Sequence, residues 1–201
     1  MHKMPAMRAK LLLASSIAFA LVACGGTVVE CSQRYWDGQI GTCLPTGWHV
    51  LDRANLDERG VPEEAVVAFQ TDESIAGQYL TVVVTREDLA QEVTSTQYSE
   101  AGAASVTSLP GYARLEERSV SIDGSRHILH VFTAQPSDTQ PMARFYQLSL
   151  AKGKTGYTFT VATPVSIDDS AEERIVAILE NATLTAPTDT GTASSDAATG
   201  E

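Results

Sequence analysis

Residues 113–134 read ARLEERSVSIDGSRHILHVFTA, and this stretch decides the fold class. Asp123-Gly124 stands between two β-rich runs, Ala113 to Ile122 and Arg126 to Ala134. An Asp-Gly pair suits the left-handed backbone of a two-residue turn, so the segment predicts a β-hairpin. The pattern recurs downstream, where Ala143 to Leu150 and Tyr157 to Thr163 flank the longer loop Lys152-Gly153-Lys154-Thr155-Gly156. Upstream, Tyr79 to Thr85 (YLTVVVT) is β-branched and apolar, and Val66 to Phe69 is a shorter strand candidate. In the last strand Tyr157, Phe159 and Val161 share one face and predict core. Thr158, Thr160 and Ala162 share the other, which suits a close-packed helix or solvent.

Two segments carry helical spacing instead. Between Thr94 and Ser108, the residues Tyr98, Ala101, Ser105, Val106 and Leu109 recur at steps of three and four. Near the C-terminus, Ser170-Ala171-Glu172-Glu173 has the form of a capping box. Behind it Ala171, Ile175, Ile178, Leu179 and Ala182 form one apolar stripe. Hairpin strands with few helices predict an α+β domain, an antiparallel sheet flanked by helices. Beyond Ala186 no large apolar residue occurs, so 187–201 is expected to be a disordered polar tail.

The other end of the chain carries an address. Lys3, Arg8 and Lys10 precede the uncharged run LLLASSIAFAL at 11–21, which ends in Leu21-Val22-Ala23-Cys24. Eleven helical residues span roughly 16 Å, about half of a bilayer core, so a signal-peptide core fits better than a transmembrane anchor. Small residues before a cysteine resemble the lipobox of bacterial lipoprotein precursors. That resemblance implies cleavage after residue 23 and acylation of Cys24, with residues 24–30 as a lipidated tether at most about 20 Å long. The expected location is the bacterial cell envelope, outside the cytoplasm, at the plasma or outer membrane.

Charge excludes one class of partner. The chain has formal net charge −11, and from Cys24 onward 11 basic residues face 25 acidic ones. So acidic a surface repels phosphate backbones, and no nucleic acid is expected to bind.

Cysteine usage agrees with export. With Cys24 assigned to lipid, Cys31 and Cys43 form an even pair in an oxidising compartment, and a disulfide is the expectation. Asp37-Gly38 lies between them and predicts a turn that brings the thiols together. A metal site would need more ligands, and His49 is the only histidine close by; redox chemistry would favour C-x-x-C spacing. No metal and no cofactor are therefore expected. Trp36, beside the turn, either packs on its own domain or faces a partner.

Catalytic motifs do not assemble. Ser149-Leu150-Ala151-Lys152 matches S-x-x-K, but on a strand positions three apart face opposite sides. Gly153-Lys154-Thr155 lacks the leading glycine of a phosphate loop, since residue 148 is leucine. His127 and His130 are separated by the same strand geometry, and Glu116-Glu117 and Asp168-Asp169 are adjacent acids that point apart or sit at a cap.

Leu44-Pro45-Thr46-Gly47-Trp48 resembles the P-x-G-W entry into the PsbP-like domain. That domain is shared by a photosystem II extrinsic protein, a eukaryotic Ran-binding protein and bacterial lipoproteins of the DcrB and LpqN kinds. The resemblance continues in Gly77-Gln78-Tyr79-Leu80, in Arg144-Phe145-Tyr146-Gln147, in Gly156-Tyr157-Thr158-Phe159-Thr160, and in Ala162 to Pro164. It closes in the Ile/Leu helix ending at Thr183-Leu184 and covers roughly residues 44–186. It implies an antiparallel sheet with helices on its faces and a binding or assembly role rather than catalysis. It transfers no active-site residue. The domain expected from sequence is thus 31–186, with a disulfide-closed hairpin preceding the PsbP-like core. The expected function is a lipid-anchored, non-catalytic binding or assembly module with an envelope protein partner. The alternatives are a small-ligand or lipid carrier and a hydrolase with a dispersed active site.

Overall fold

The computed structural model describes residues 29–187 apart from 76 and 138. The expected signal peptide, Cys24 with most of its tether, and nearly all of the C-terminal tail lie outside the described residues.

Seven strands form one antiparallel sheet: β3 (Trp48–Leu51), β4 (Ala65–Thr71), β5 (Thr81–Asp88), β6 (Ala113–Ile122), β7 (Ser125–Ala134), β8 (Ala143–Lys152) and β9 (Thr155–Thr163). Their spatial order is β3-β4-β5-β9-β8-β7-β6. The two hairpins read from sequence are present, β6–β7 turning at Asp123-Gly124 and β8–β9 at Gly153. Asp123 takes φ 50° and Gly124 φ 77°, the left-handed conformations such a turn requires. Its carboxylate accepts from Thr183 Oγ1 and the Leu184 N–H, which fixes the C-terminal segment under the turn.

A smaller hairpin, β1 (Gln33–Trp36) with β2 (Gly41–Leu44), turns at Asp37-Gly38 and is closed by the Cys31–Cys43 disulfide. It is integral to the domain, because Ile40 and Leu44 are fully buried in the main core. β2 also pairs with the segment that follows the last helix through reciprocal backbone bonds between Gly41 and Thr183, both 2.9 Å.

The sheet is covered differently on its two faces. On one, α3 (Asp169–Glu180) packs with the β1–β2 hairpin over Val82, Val84, Leu148, Leu150, Phe159 and Val161. The expected stripe of Ala171, Ile175, Ile178, Leu179 and Ala182 is buried there. The capping box expected at Ser170 is corrected: Asp168 is the N-cap, accepting from the Ala171 N–H at 2.8 Å. A carboxylate two residues earlier reaches the free N–H, and Ser170 instead donates to it.

The other face carries α1 (Arg53–Glu58) over β3 and β4, and α2 (Ser95–Ser105) over β7 and β8. Neither α1 nor β3 is marked by periodicity in the sequence. The stripe expected on α2 is also corrected. Ser99 and Ala103 are its buried residues, while Ala101 and Ser105 are exposed. The helix docks through small polar groups rather than apolar ones. Ser99 Oγ accepts the Ile128 N–H at 2.7 Å, Ser95 Oγ accepts the Ala151 N–H at 2.9 Å, and Thr96 Oγ1 donates to the Arg126 carbonyl at 2.8 Å.

Candidate functional site

Because α1 covers one end of this face and α2 the other, the strip of sheet between them on β5 and β9 stays open. Its floor is set by strand alternation: Phe159 and Val161 go to the core, so Thr158 and Thr160 must face the opposite side. Thr85 and Gln147 join them. Tyr98, Gly102 and Ser105 of α2 form one wall, and Glu64 and Glu87 lie on the other side. The resulting groove has a volume of about 580 Å³, within the usual size for ligand sites.

Close approach of α2 shapes that wall. A Cβ at Gly102 would lie 2.5 Å from Ser149 Oγ, and one at Gly156 would lie 2.4 Å from the Tyr98 ring. Tyr98 thus lies flat against β9, with its hydroxyl 3.4 Å from Thr158 Oγ1. Burial, with Glu87 nearby, pushes its phenol up to about 12, so it stays protonated at neutral pH. At the floor, Gln147 Oε1 is buried without a hydrogen-bond partner, as is Nδ1 of His130 on the neighbouring strand. The groove thus presents hydroxyls, an amide and carboxylates among apolar stems, with Arg86 at its margin: an open, mixed surface with many hydrogen-bonding groups.

The sequence motifs do not converge on it as chemistry. Ser149 Oγ pairs with Thr158 Oγ1 at 3.1 Å, while Lys152 Nζ donates to the Leu184 carbonyl at 3.1 Å. His127 donates from Nδ1 to the Ser149 carbonyl at 3.2 Å; His130 Nε2 lies 3.1 Å from the Tyr112 hydroxyl. Both rings are buried, and burial lowers the pKa of each. Glu116 pairs with Arg118, and Glu117 with Arg114. Trp36 is half-buried; its ring lies over Gly41, its cross-strand partner.

Among solved structures, the chain is similar to cyanobacterial PsbP (CyanoP) from Synechocystis sp. PCC 6803. The TM-score is 0.52 at 15% identity, covering 82% of this chain and 99% of that one. The fold is PsbP-like. A second similar structure is LpqN, described as involved in cell envelope biogenesis of Mycobacterium tuberculosis, with TM-score 0.53 and 11% identity. That match covers 77% of this chain and 90% of LpqN. The sequence matches no family model and no curated protein. At such identities the likeness extends to the PsbP-like fold and not to individual side chains, so the groove is argued from this chain's own residues. No single motif announced it: Thr158 and Thr160 were legible as a non-core face, but its walls depend on where two helices stop.

Proposed function

We propose that this PsbP-like protein is a lipid-anchored binding or assembly module of the bacterial cell envelope, recognising its partner through the open groove beside α2. The observation that carries this reading is the groove's chemistry. A carrier of apolar molecules needs an enclosed apolar cavity, whereas this groove is floored by Thr85, Gln147, Thr158 and Thr160. The face that is apolar is filled by α3 and the disulfide hairpin. A hydrolytic reading gains no support, since Ser149 and both strand histidines have separate partners. The lipobox-like Leu21-Val22-Ala23-Cys24 supports the anchor.

The anchor is tested by metabolic labelling with a fatty acid. Wild type is expected to take up label and to sediment with membranes, and Cys24→Ser to lose both. Label retained by Cys24→Ser overturns the anchor. The groove is tested by affinity capture from envelope extracts with wild type and Thr160→Lys. A stoichiometric protein recovered with wild type and lost in a variant of unchanged Tm is the expected result. A co-purifying small molecule instead would favour the carrier.

A further inference from the structure

Two of the buried polar atoms that lack a hydrogen-bond partner, Nδ1 of His130 and Oε1 of Gln147, belong to neighbours. His130 on β7 and Gln147 on β8 are paired across the strands. Leu129 and Leu148, beside them in sequence, enter the core under α3, so alternation turns both polar side chains to the α2 side. Directly opposed residues on one face have Cβ atoms about 4.5–5.5 Å apart, close enough for a ring and an amide to bond. A buried donor or acceptor is costly to leave unpaired, and each of these atoms supplies what the other lacks when the ring proton sits on Nδ1. The second ring nitrogen permits that tautomer. Nε2 lies 3.1 Å from the Tyr112 hydroxyl, which can donate to it. The ring itself is neutral at neutral pH, because burial lowers its pKa, with Arg114 adding to the shift and Glu117 opposing it.

An amide is planar, so with Oε1 turned inward Nε2 is the half left to the groove that Gln147 lines. Thr160, paired with Gln147 across the strands, sets a hydroxyl beside it on the same face. The charged residues lining the groove are Glu64, Arg86 and Glu87. Glu87 shares the groove face of β5 with Thr85 and lies near Tyr98. Arg86, between them, pairs with Tyr157 and alternates to the α3 face, away from the floor. An anionic oxygen at the floor would therefore meet a carboxylate and no cation, whereas a neutral carbonyl oxygen meets a donor. The strip between α1 and α2 is open, so an extended chain can lie along it. We infer that His130 is a positioning residue whose Nδ1–H holds Gln147 Oε1, so that Gln147 Nε2 and the Thr160 hydroxyl take a main-chain carbonyl oxygen from an extended, uncharged segment of a protein partner. This rests on the groove as the partner's site and names what the partner offers there. The opposite tautomer would turn the amide over and make the floor an acceptor.

The positioning role is tested on the purified full chain by long-range proton–nitrogen NMR, which reports each histidine's tautomer. His130 is expected in the Nδ1–H form. Gln147→Met keeps the length but removes the acceptor, and is expected to move the ring to the Nε2–H form. An Nε2–H ring in wild type, or a tautomer that Gln147→Met leaves unaltered, overturns the role of His130. The occupant is read by placing a benzophenone amino acid at the exposed Ala101 on the α2 wall, in the full chain within its own cells, and mapping adducts by mass spectrometry. The expected adduct is an uncharged segment of one protein. Gln147→Glu is expected to lower its yield several-fold at unchanged Tm, because a carboxylate offers a carbonyl oxygen no donor. Gln147→Met, which adds no charge, is expected to lower it as well. A yield raised by Gln147→Glu would mean a cationic or donor-bearing occupant, and that, an unaltered yield in both variants, or adducts to glycan or lipid overturns the inference. The two failures separate. Absence of any protein adduct at Ala101 sinks the groove as the partner's site and this occupant with it, whereas a protein adduct indifferent to Gln147 sinks the occupant alone.

Discussion

Gly41 is fixed as glycine by what already fills the space beside it. A Cβ there would lie 2.7 Å from the Tyr35 carbonyl oxygen and 2.8 Å from Trp36 Cε3. Since the first neighbour is backbone, Gly41→Ala is expected to cost about 1–3 kcal/mol through overpacking, read as a lower urea midpoint with unchanged m. Trp36→Ala removes a half-buried ring and is expected to cost about 1–2 kcal/mol. The double variant should lose less than the sum, because one of the two clashes has gone. Strict additivity would show that the ring does not rest on Gly41. The same variant decides the role of Trp36 in binding. If partner capture falls only as far as the protein unfolds, Trp36 packs its own hairpin; intact folding with lost capture makes it a contact.

The elements differ in how far their own residues specify them. β6 to β9 were legible because Asp123-Gly124 and the Lys152–Gly156 loop punctuate alternating runs, and α3 because its stripe is continuous. α2 was placed correctly but its buried face was not. Tyr98 of the expected stripe does meet β9, but the other sheet contacts are Ser95, Thr96, Ser99 and Gly102, residues that an apolar count passes over; the three hydroxyls bond strand N–H and C=O groups distant in sequence. α1, six residues long, buries only Leu56 and leaves no periodic signal. Its capping box uses Asp52 and Asn55, a weaker sequence mark than Ser/Thr with Glu/Gln. The groove inherits this limit, since it exists only where α1 and α2 leave the sheet uncovered. The β1–β2 hairpin was legible through its cysteines, though not that Ile40 and Leu44 would anchor it in the core. The Cys31–Cys43 bridge is expected to stabilise by up to about 3 kcal/mol, less to the extent that the unfolded hairpin is already ordered. Comparing denaturation of wild type with Cys31→Ser/Cys43→Ser measures it. A midpoint unaffected by the double substitution would mean that Ile40, Leu44 and the Gly41–Thr183 pairing hold the hairpin alone.

At the scale of the molecule, two buried histidines on opposite faces of one strand couple stability to pH. His127 lies on the α3 side with Leu129 and Val131, and His130 lies under α2 in a row of rings with Tyr112, Phe132 and Phe145. Burial is the largest influence on each and lowers its pKa. For His127 the Ser149 carbonyl and Asp123 oppose the shift without cancelling it. For His130 Glu117 opposes it and Arg114 adds to it. The folded state therefore holds both rings neutral at a pH where the unfolded chain, with histidine near 6.5, takes up protons. Unfolding then binds protons, and stability falls as pH falls. The contribution is fully present above about pH 6.5 and is lost progressively below it, towards the depressed folded values. That window lies above the ordinary carboxylate range, so the acidic surface adds little to the slope there. Calorimetry between pH 8 and pH 5 is expected to show a level Tm down to about 6.5 and a decline below it. In His127→Gln/His130→Gln the decline should be shallower whatever the variant's absolute Tm, because the proton-binding groups are gone. An equal decline in the double variant would place the linkage elsewhere in the chain.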